Sequence, residues 1–199
     1  MRIAFSGSHR VGKTTLVERV ADALPAYATV DEPYYLLEAD GYEFAEQPSL
    51  DDFEAQLERS LAALDDGEPD VLFDRCPADI LAYLLVHDDA ARFDPDDWLE
   101  RVRDAMQTLD LVVFVPIEDP DRIALASHDD AERRGAVHDK LRDLLIDDAP
   151  GFDAEVLTVT GDLRARVDQV MARIRRRSRA RRGAVPGMAA AESDSNDDS

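Results

Sequence analysis

The chain has 199 residues, 44 of them acidic and 23 basic, giving a formal net charge of −21. That length suits one domain with a full hydrophobic core, and no apolar run approaches membrane-spanning length, so no membrane partner is expected. Cys76 is the only cysteine, which rules out an internal disulfide and argues against a cysteine-based metal site.

The first element is the short apolar run Ile3-Ala4-Phe5-Ser6, which predicts a buried strand. Gly7-Ser8-His9-Arg10-Val11-Gly12-Lys13-Thr14 follows and matches the phosphate-binding pattern G-x-x-x-x-G-K-[ST]. Thr14-Thr15 then opens a helix in which Leu16, Val20 and Leu24 recur at helical spacing. Gly7 and Gly12 allow backbone angles that turn amide hydrogens toward phosphate oxygens. The helix N-terminus adds its unpaired amides. Lys13 is placed to reach the outer phosphates, and the Thr14 hydroxyl to ligate Mg2+. Strand before and helix after make residues Gly7 through Thr15 a nucleoside triphosphate site.

Ala28-Thr29-Val30 reads as the second strand and ends in Asp31-Glu32-Pro33, before an aromatic segment carrying Tyr34, Tyr35, Tyr42 and Phe44. Ser49 caps a predicted helix to Leu64, with Phe53, Leu57, Leu61 and Leu64 as its stripe. Gly67 and Pro69 break it. Val71-Leu72-Phe73 is a buried strand ending in Asp74-Arg75. Pro77 suits the first turn of an apolar helix over 78–86. Asp94 or Asp96 opens a further helix through Trp98, Val102 and Met106. Leu111 to Val115 is the clearest strand, a central one covered on both faces. A polar, arginine-bearing stretch covers 121–135, and a helix is expected over 137–146. Val156 to Val159 forms the last strand, and Leu163, Val167, Val170, Met171 and Ile174 mark the final helix.

Alternating strands and helices predict an α/β, three-layer fold with a five-stranded parallel sheet flanked by helices, here built around a P-loop. Residues 1–174 form the domain, and 175–199 form a basic and then acidic tail expected to be disordered from Gly183. Arg175, Arg176, Arg177, Arg179, Arg181 and Arg182 read as the solvated end of a terminal helix; binding of a nucleic acid or another anionic partner is the alternative, and nucleic acid is not the expected partner. Only Lys13 and Lys140 are lysines, and the dispersed acid with little lysine resembles proteins of salt-in halophiles. The N-terminus lacks a signal-peptide pattern, so a cytoplasmic location is expected. A homodimer is left open.

Ligands of parallel α/β sheets bind at the carboxyl ends of the strands. There the sequence delivers the loop, then Glu32, then Asp74 and Arg75, then Glu118, then Thr160-Gly161-Asp162. Asp74 is placed to hold a metal-bound water or to orient an acceptor. Glu32 can take an acceptor proton, and Arg75 can bind an acceptor phosphate or hold Glu32 by a bidentate pair.

These residues resemble the small P-loop kinases: deoxynucleoside kinases, thymidylate kinases and the nicotinamide riboside kinase-like ATPases. Glu32-Pro33 matches the Glu-Pro of deoxynucleoside kinases, whose Glu is the base. Asp74-Arg75 is nearer the Asp-Arg of thymidylate kinases than the Glu-Arg-Ser of deoxynucleoside kinases. The resemblance implies an arginine-bearing lid after the fourth strand, where Arg122, Arg133 and Arg134 lie and would neutralise charge on the transferring group. It implies ATP and Mg2+ as cofactors and a small-molecule acceptor such as a nucleoside or nucleotide. Catalysis would then rest on Lys13, Glu32, Asp74, Arg75, Arg133 and Arg134, with Thr14 and Asp74 at the metal. The alternative is an NTPase, AAA-type or regulatory, with no small-molecule acceptor. The chain lacks an Asn-Lys-x-Asp guanine motif and leaves no room for the helical lid of a full AAA+ motor.

Overall fold

A computed structural model describes residues 1–119 and 128–183, with side chains described over 1–119 and 131–180. Arg122 and the stretch 184–199 lie outside the described residues.

Five strands form one sheet in the order β2-β3-β1-β4-β5, every neighbouring pair parallel. They are β1 (Arg2–Ser6), β2 (Ala28–Val30), β3 (Val71–Asp74), β4 (Leu111–Phe114) and β5 (Val156–Thr158). The helices are α1 (Lys13–Ala23), α2 (Pro33–Ala39), α3 (Leu50–Asp65), α4 (Pro77–Leu85), α5 (Asp96–Gln107), α6 (His128–Leu145) and α7 (Leu163–Gly183). Side-chain alternation along the strands separates two cores. Ile3, Phe5, Leu72, Leu111 and Val113 pack with Leu16 and Val20 of α1 and Val170 and Ile174 of α7. Ala4, Phe73, Val112 and Phe114 pack on the other face with residues of α3, α4, α5 and α6. The expected three layers follow from that division.

The central strand is β1, flanked by β3 and β4, with Phe5 in register with Asp74 and with Val113. The phosphate-loop pattern therefore leaves the sheet at its middle, and Asp74 ends the strand beside it. Here the chain order reverses direction across the sheet, the place where such folds open a crevice.

Two stretches that the sequence did not mark as helical are helices. The aromatic segment after Glu32 is helical, as α2, with Pro33 at its first turn and only Pro33 buried. α6 begins at His128 rather than Val137, so Arg133 and Arg134 sit on a helix and not on a loop. α7 runs on past Ile174 through the arginine run, as its reading as the end of a terminal helix expects. It continues to Gly183, and Arg177 pairs with Glu155 and, at 3.5 Å, with Asp110. Among the described residues no helix is long and apolar enough to cross a membrane.

Candidate active site

The segment from Gly7 to Gly12 turns sharply between β1 and α1. Gly7 has φ 150°, and a Cβ there would stand 2.5 Å from the Val115 carbonyl oxygen, so only glycine fits. Gly12 has φ 84°, and Arg10 between them is also left-handed at φ 55°. Ser8 and Val11 are buried, His9 is half-buried, and Arg10, Thr14 and Thr15 are exposed.

Lys13 is buried, and its Nζ donates to the Ser8 carbonyl at 2.9 Å. Burial lowers its pKa to about 8, and the Arg75 charge pushes the same way against Asp79, Glu32 and Asp74. Thr14 Oγ1 donates to Asp74 Oδ2 at 2.6 Å. The other oxygen, Asp74 Oδ1, is buried and has no hydrogen-bond partner. Burial raises the pKa of Asp74, outweighing the Thr14 bond and the Lys13 charge. A hydroxyl beside a carboxylate with an unused oxygen is the donor set a hard cation prefers. No group of three or more His, Cys, Asp and Glu side chains forms a metal cage among the described residues. A cation here would need oxygen ligands from a phosphate or water.

Glu32 stands immediately before α2, and its side chain is hydrogen-bonded and ion-paired to Arg75 Nε. Arg75 is 7 % exposed, has φ 88°, and lies over the Tyr83 ring with its guanidinium carbon 5.3 Å from the centroid. Its Nη1 reaches the Gly7 carbonyl at 3.3 Å and Asp79 Oδ1 at 3.4 Å. Burial opposes the charge of Arg75, but Tyr83, Glu32 and Asp79 around it outweigh that and keep it protonated.

Asp79 was not foreseen as a site residue. It is fully buried and accepts from the Gly7 amide at 3.0 Å and the Cys76 amide at 3.1 Å. It thus joins the start of the loop, the arginine after β3 and the start of α4. The sequence signal was available: Cys76-Pro77-Ala78-Asp79 is a capping box, and Asp79 is the one acid in an apolar helix. Asp79→Ala leaves Arg75 buried with less compensation and the Gly7 amide without its acceptor. We expect a loss of about 3 to 5 kcal/mol in folding free energy by urea unfolding, with Asp79→Asn recovering part of it. A loss below about 1 kcal/mol would make Asp79 no more than a surface-type partner.

Arg134 is 2 % exposed and donates from Nε to the His9 carbonyl at 3.0 Å and from Nη2 to the Arg10 carbonyl at 3.3 Å. Arg166 of α7, also not foreseen, donates from Nη1 to the Val11 carbonyl at 2.8 Å and pairs with Glu118 at 3.4 Å. Glu118 in turn accepts from the Gly161 amide. Arg133 is exposed and faces a cavity beside the loop.

That cavity has a volume of about 400 Å3. His9, Glu32, Arg75 and Tyr83 form its loop side, where the Tyr83 hydroxyl accepts from the His9 amide and meets His9 Nδ1, both at 3.1 Å. Its outer walls are aromatic. Tyr34 stacks on Phe44 at 4.2 Å, and Phe53 stacks on Tyr83 at 5.3 Å. Gln56, Glu46 and Asp52 supply polar groups. Asp52 is occupied locally: it accepts from the amide and hydroxyl of Ser49, the Ala45 amide and the Tyr42 hydroxyl. Burial would raise its pKa, but these bonds win and hold it below the ordinary value.

The structure of a deoxyadenosine kinase from M. mycoides with the products dCMP and dCDP superposes with a TM-score of 0.62 at 15 % identity, over 88 % of this chain and 99 % of that one. A NadR protein in complex with NR gives 0.58 at 19 %, over 85 % of this chain and 50 % of the other. Shikimate kinase from Aquifex aeolicus gives 0.54 at 14 %, over 89 % and 98 %. At these identities the likeness shows the fold, that of the P-loop kinases. No curated protein matches the sequence. A family model described as an AAA domain matches residues 2–166, and with most of its length so matched the chain belongs to that AAA domain family, on a P-loop kinase-like fold.

Proposed function

We propose that the protein is a Mg2+-dependent phosphotransferase that moves the outer phosphoryl group of ATP onto a hydroxyl of a small, ring-bearing acceptor. The observation that carries this reading is the position of Glu32 and Arg75. They are bonded to each other at the boundary where the aromatic cavity meets the phosphate loop. A carboxylate in that place can take a proton from a hydroxyl held in the cavity, and the cavity beside it gives a second ligand room to bind.

The residues divide the work. Residues Gly7 to Thr15 bind the polyphosphate, and Lys13 leaves the Ser8 carbonyl to neutralise its outer oxygens. Thr14 and Asp74 would hold Mg2+, which supplies charge neutralisation on the phosphates. The acceptor ring lies between the Tyr34–Phe44 and Phe53–Tyr83 pairs, with Gln56 available to its polar edge. Glu32 accepts the proton of the acceptor hydroxyl as its oxygen bonds to the outer phosphorus. The bond from that phosphorus to the bridging oxygen breaks, and ADP leaves. Arg75 orients Glu32, and exposed Arg133 can approach the transferring group from the α6 side. Residues 1–174 carry this site.

The cavity's charges favour an unphosphorylated acceptor. Arg75, its buried guanidinium, is already engaged by Glu32 and Asp79. Among the described lining residues a monophosphate would meet Glu32, Glu46 and Asp52, with exposed Arg133 as the further arginine beside them. We therefore expect a nucleoside-type acceptor over its monophosphate. In a panel of nucleosides, nucleoside monophosphates and shikimate with ATP, Mg2+ and molar KCl, a nucleoside should gain phosphate at least tenfold faster than its monophosphate. The family description favours a second reading, hydrolysis of ATP without an acceptor. Phosphate released to water at one rate whatever the acceptor present would select that reading.

A further inference from the structure

A loop that turns its amides inward must turn its carbonyls outward, because N–H and C=O of one trans peptide point in opposite directions. Those carbonyls need donors of their own. Here five consecutive ones, Gly7 to Val11, each accept from a cationic side chain. Arg75 serves Gly7, Lys13 serves Ser8, Arg134 serves His9 and Arg10, and Arg166 serves Val11. The Gly12 carbonyl accepts from the Leu16 amide and belongs to α1. The cations come from four places: the end of β3, the loop's own helix, α6 and α7. Neutral donors would satisfy the carbonyls equally well in number. Cations do more, because they set positive charge behind the loop in a chain whose net charge is −21.

We infer that Arg134 and Arg166 are positioning residues of the phosphate loop, holding its amides in their anion-accepting arrangement from opposite helices without touching the phosphate. This rests on the reading of Gly7 to Thr14 as the phosphate site. Arg134 spans two adjacent carbonyls with two nitrogens of one planar fork, which fixes the two peptides on either side of Arg10. Arg166 holds Val11 while Glu118 holds both Arg166 and the Gly161 amide. The loop, the end of β4 and the turn after β5 are therefore fastened to one guanidinium. An arginine committed in this way acts on every nucleotide whose inner phosphates enter the loop. An arginine that closes on the transferring group acts on ATP alone.

That difference gives the experiment. Affinities for MgADP, MgATP and inorganic tripolyphosphate are measured by calorimetry for the wild-type protein and for Arg134→Ala, Arg134→Lys, Arg166→Ala and Arg166→Lys, with circular dichroism as the folding check. Each alanine variant should weaken all three ligands by a similar factor, about tenfold. Each lysine variant should recover part of the loss, since an ammonium keeps the charge and a donor but lacks the planar fork that fixes the direction of both bonds. Should an alanine variant not fold, its lysine counterpart carries the comparison. Loss of MgATP affinity with MgADP unchanged in the Arg134 variants would mean direct contact with the outer phosphate. Loss of nucleotide but not tripolyphosphate affinity in the Arg166 variants would mean contact with the base. Either result, or unchanged affinities throughout, overturns the inference. If the wild-type protein binds none of the three ligands, the phosphate-site reading itself fails.

Discussion

Lys13→Met should abolish most phosphate binding and, at the same time, flatten the pH dependence of stability near pH 9. The side chain is buried and its pKa is lowered from 10.5 to about 8, first by burial and then by Arg75. The unfolded chain keeps this proton up to about pH 10.5, whereas the folded empty protein releases it near 8. Below pH 8 the fold thus carries a penalty on the order of 3 kcal/mol for the buried charge. Between about 8 and 10.5 the unfolded state binds more protons, so this group makes stability rise with pH. Methionine keeps the apolar stem but loses the bond to the Ser8 carbonyl, so the slope rather than the absolute stability is the readout. A polyphosphate restores the charge. Binding measured near pH 8.5 in buffers of different ionisation enthalpy should show proton uptake in the wild-type protein and none from this group in Lys13→Met. Affinity for triphosphate should drop on the order of a hundredfold or more in the variant. Equal affinity, or a wild-type protein that binds without taking up a proton, would remove Lys13 from the phosphate site.

The parts of the fold that were legible in the sequence are those that bury apolar runs. β1, β3 and β4 are short apolar segments between breakers, and α3 and α4 carry a clear stripe or a full apolar face. The parts that were not legible lie over the site. α2 buries only Pro33, because Tyr34 faces a cavity and Tyr35 faces solvent. The first turns of α6 are rich in acids and arginines and show no apolar period, so they read as a loop. Those turns present Arg133 to the cavity and Arg134 to the phosphate loop, which is why their composition follows charge rather than packing. The candidate site was half readable. The G-x-x-x-x-G-K-T pattern, Glu32 and Asp74-Arg75 were marked by their place after strands. Asp79 and Arg166 were hidden in helices whose other residues explain the helix. Their signal was positional: Arg166 falls between Leu163 and Val170 on the buried stripe of α7, where a charge needs a partner.

Asp74→Asn should reduce phosphoryl transfer by a factor on the order of 10² to 10³ while making the empty protein more stable at neutral pH. Burial raises the pKa of this carboxyl, so the fold favours its protonated form more than the unfolded chain does. The sign follows from that direction. The contribution of Asp74 to stability is fully present below its unfolded pKa and is lost as pH rises through the folded one. The site thus holds a desolvated carboxyl group, whose charged form burial disfavours and whose Oδ1 has no protein partner. Asparagine removes the charge and keeps an oxygen for the Thr14 hydroxyl. Lys13 and Asp74 are thus displaced toward their neutral forms in the empty protein, one by each sign of charge, although they stand close enough to favour each other. A phosphate with its cation would relieve both at once, the anion beside Lys13 and the cation beside Asp74. Thermal unfolding with and without MgADP separates this account from a structural one. The wild-type protein should gain stability from Mg2+ beyond that from ADP alone, and Asp74→Asn should start from a higher melting temperature and lose that increment. If the variant instead melts lower without ligand and still responds to Mg2+, Asp74 serves the fold and the cation site lies elsewhere.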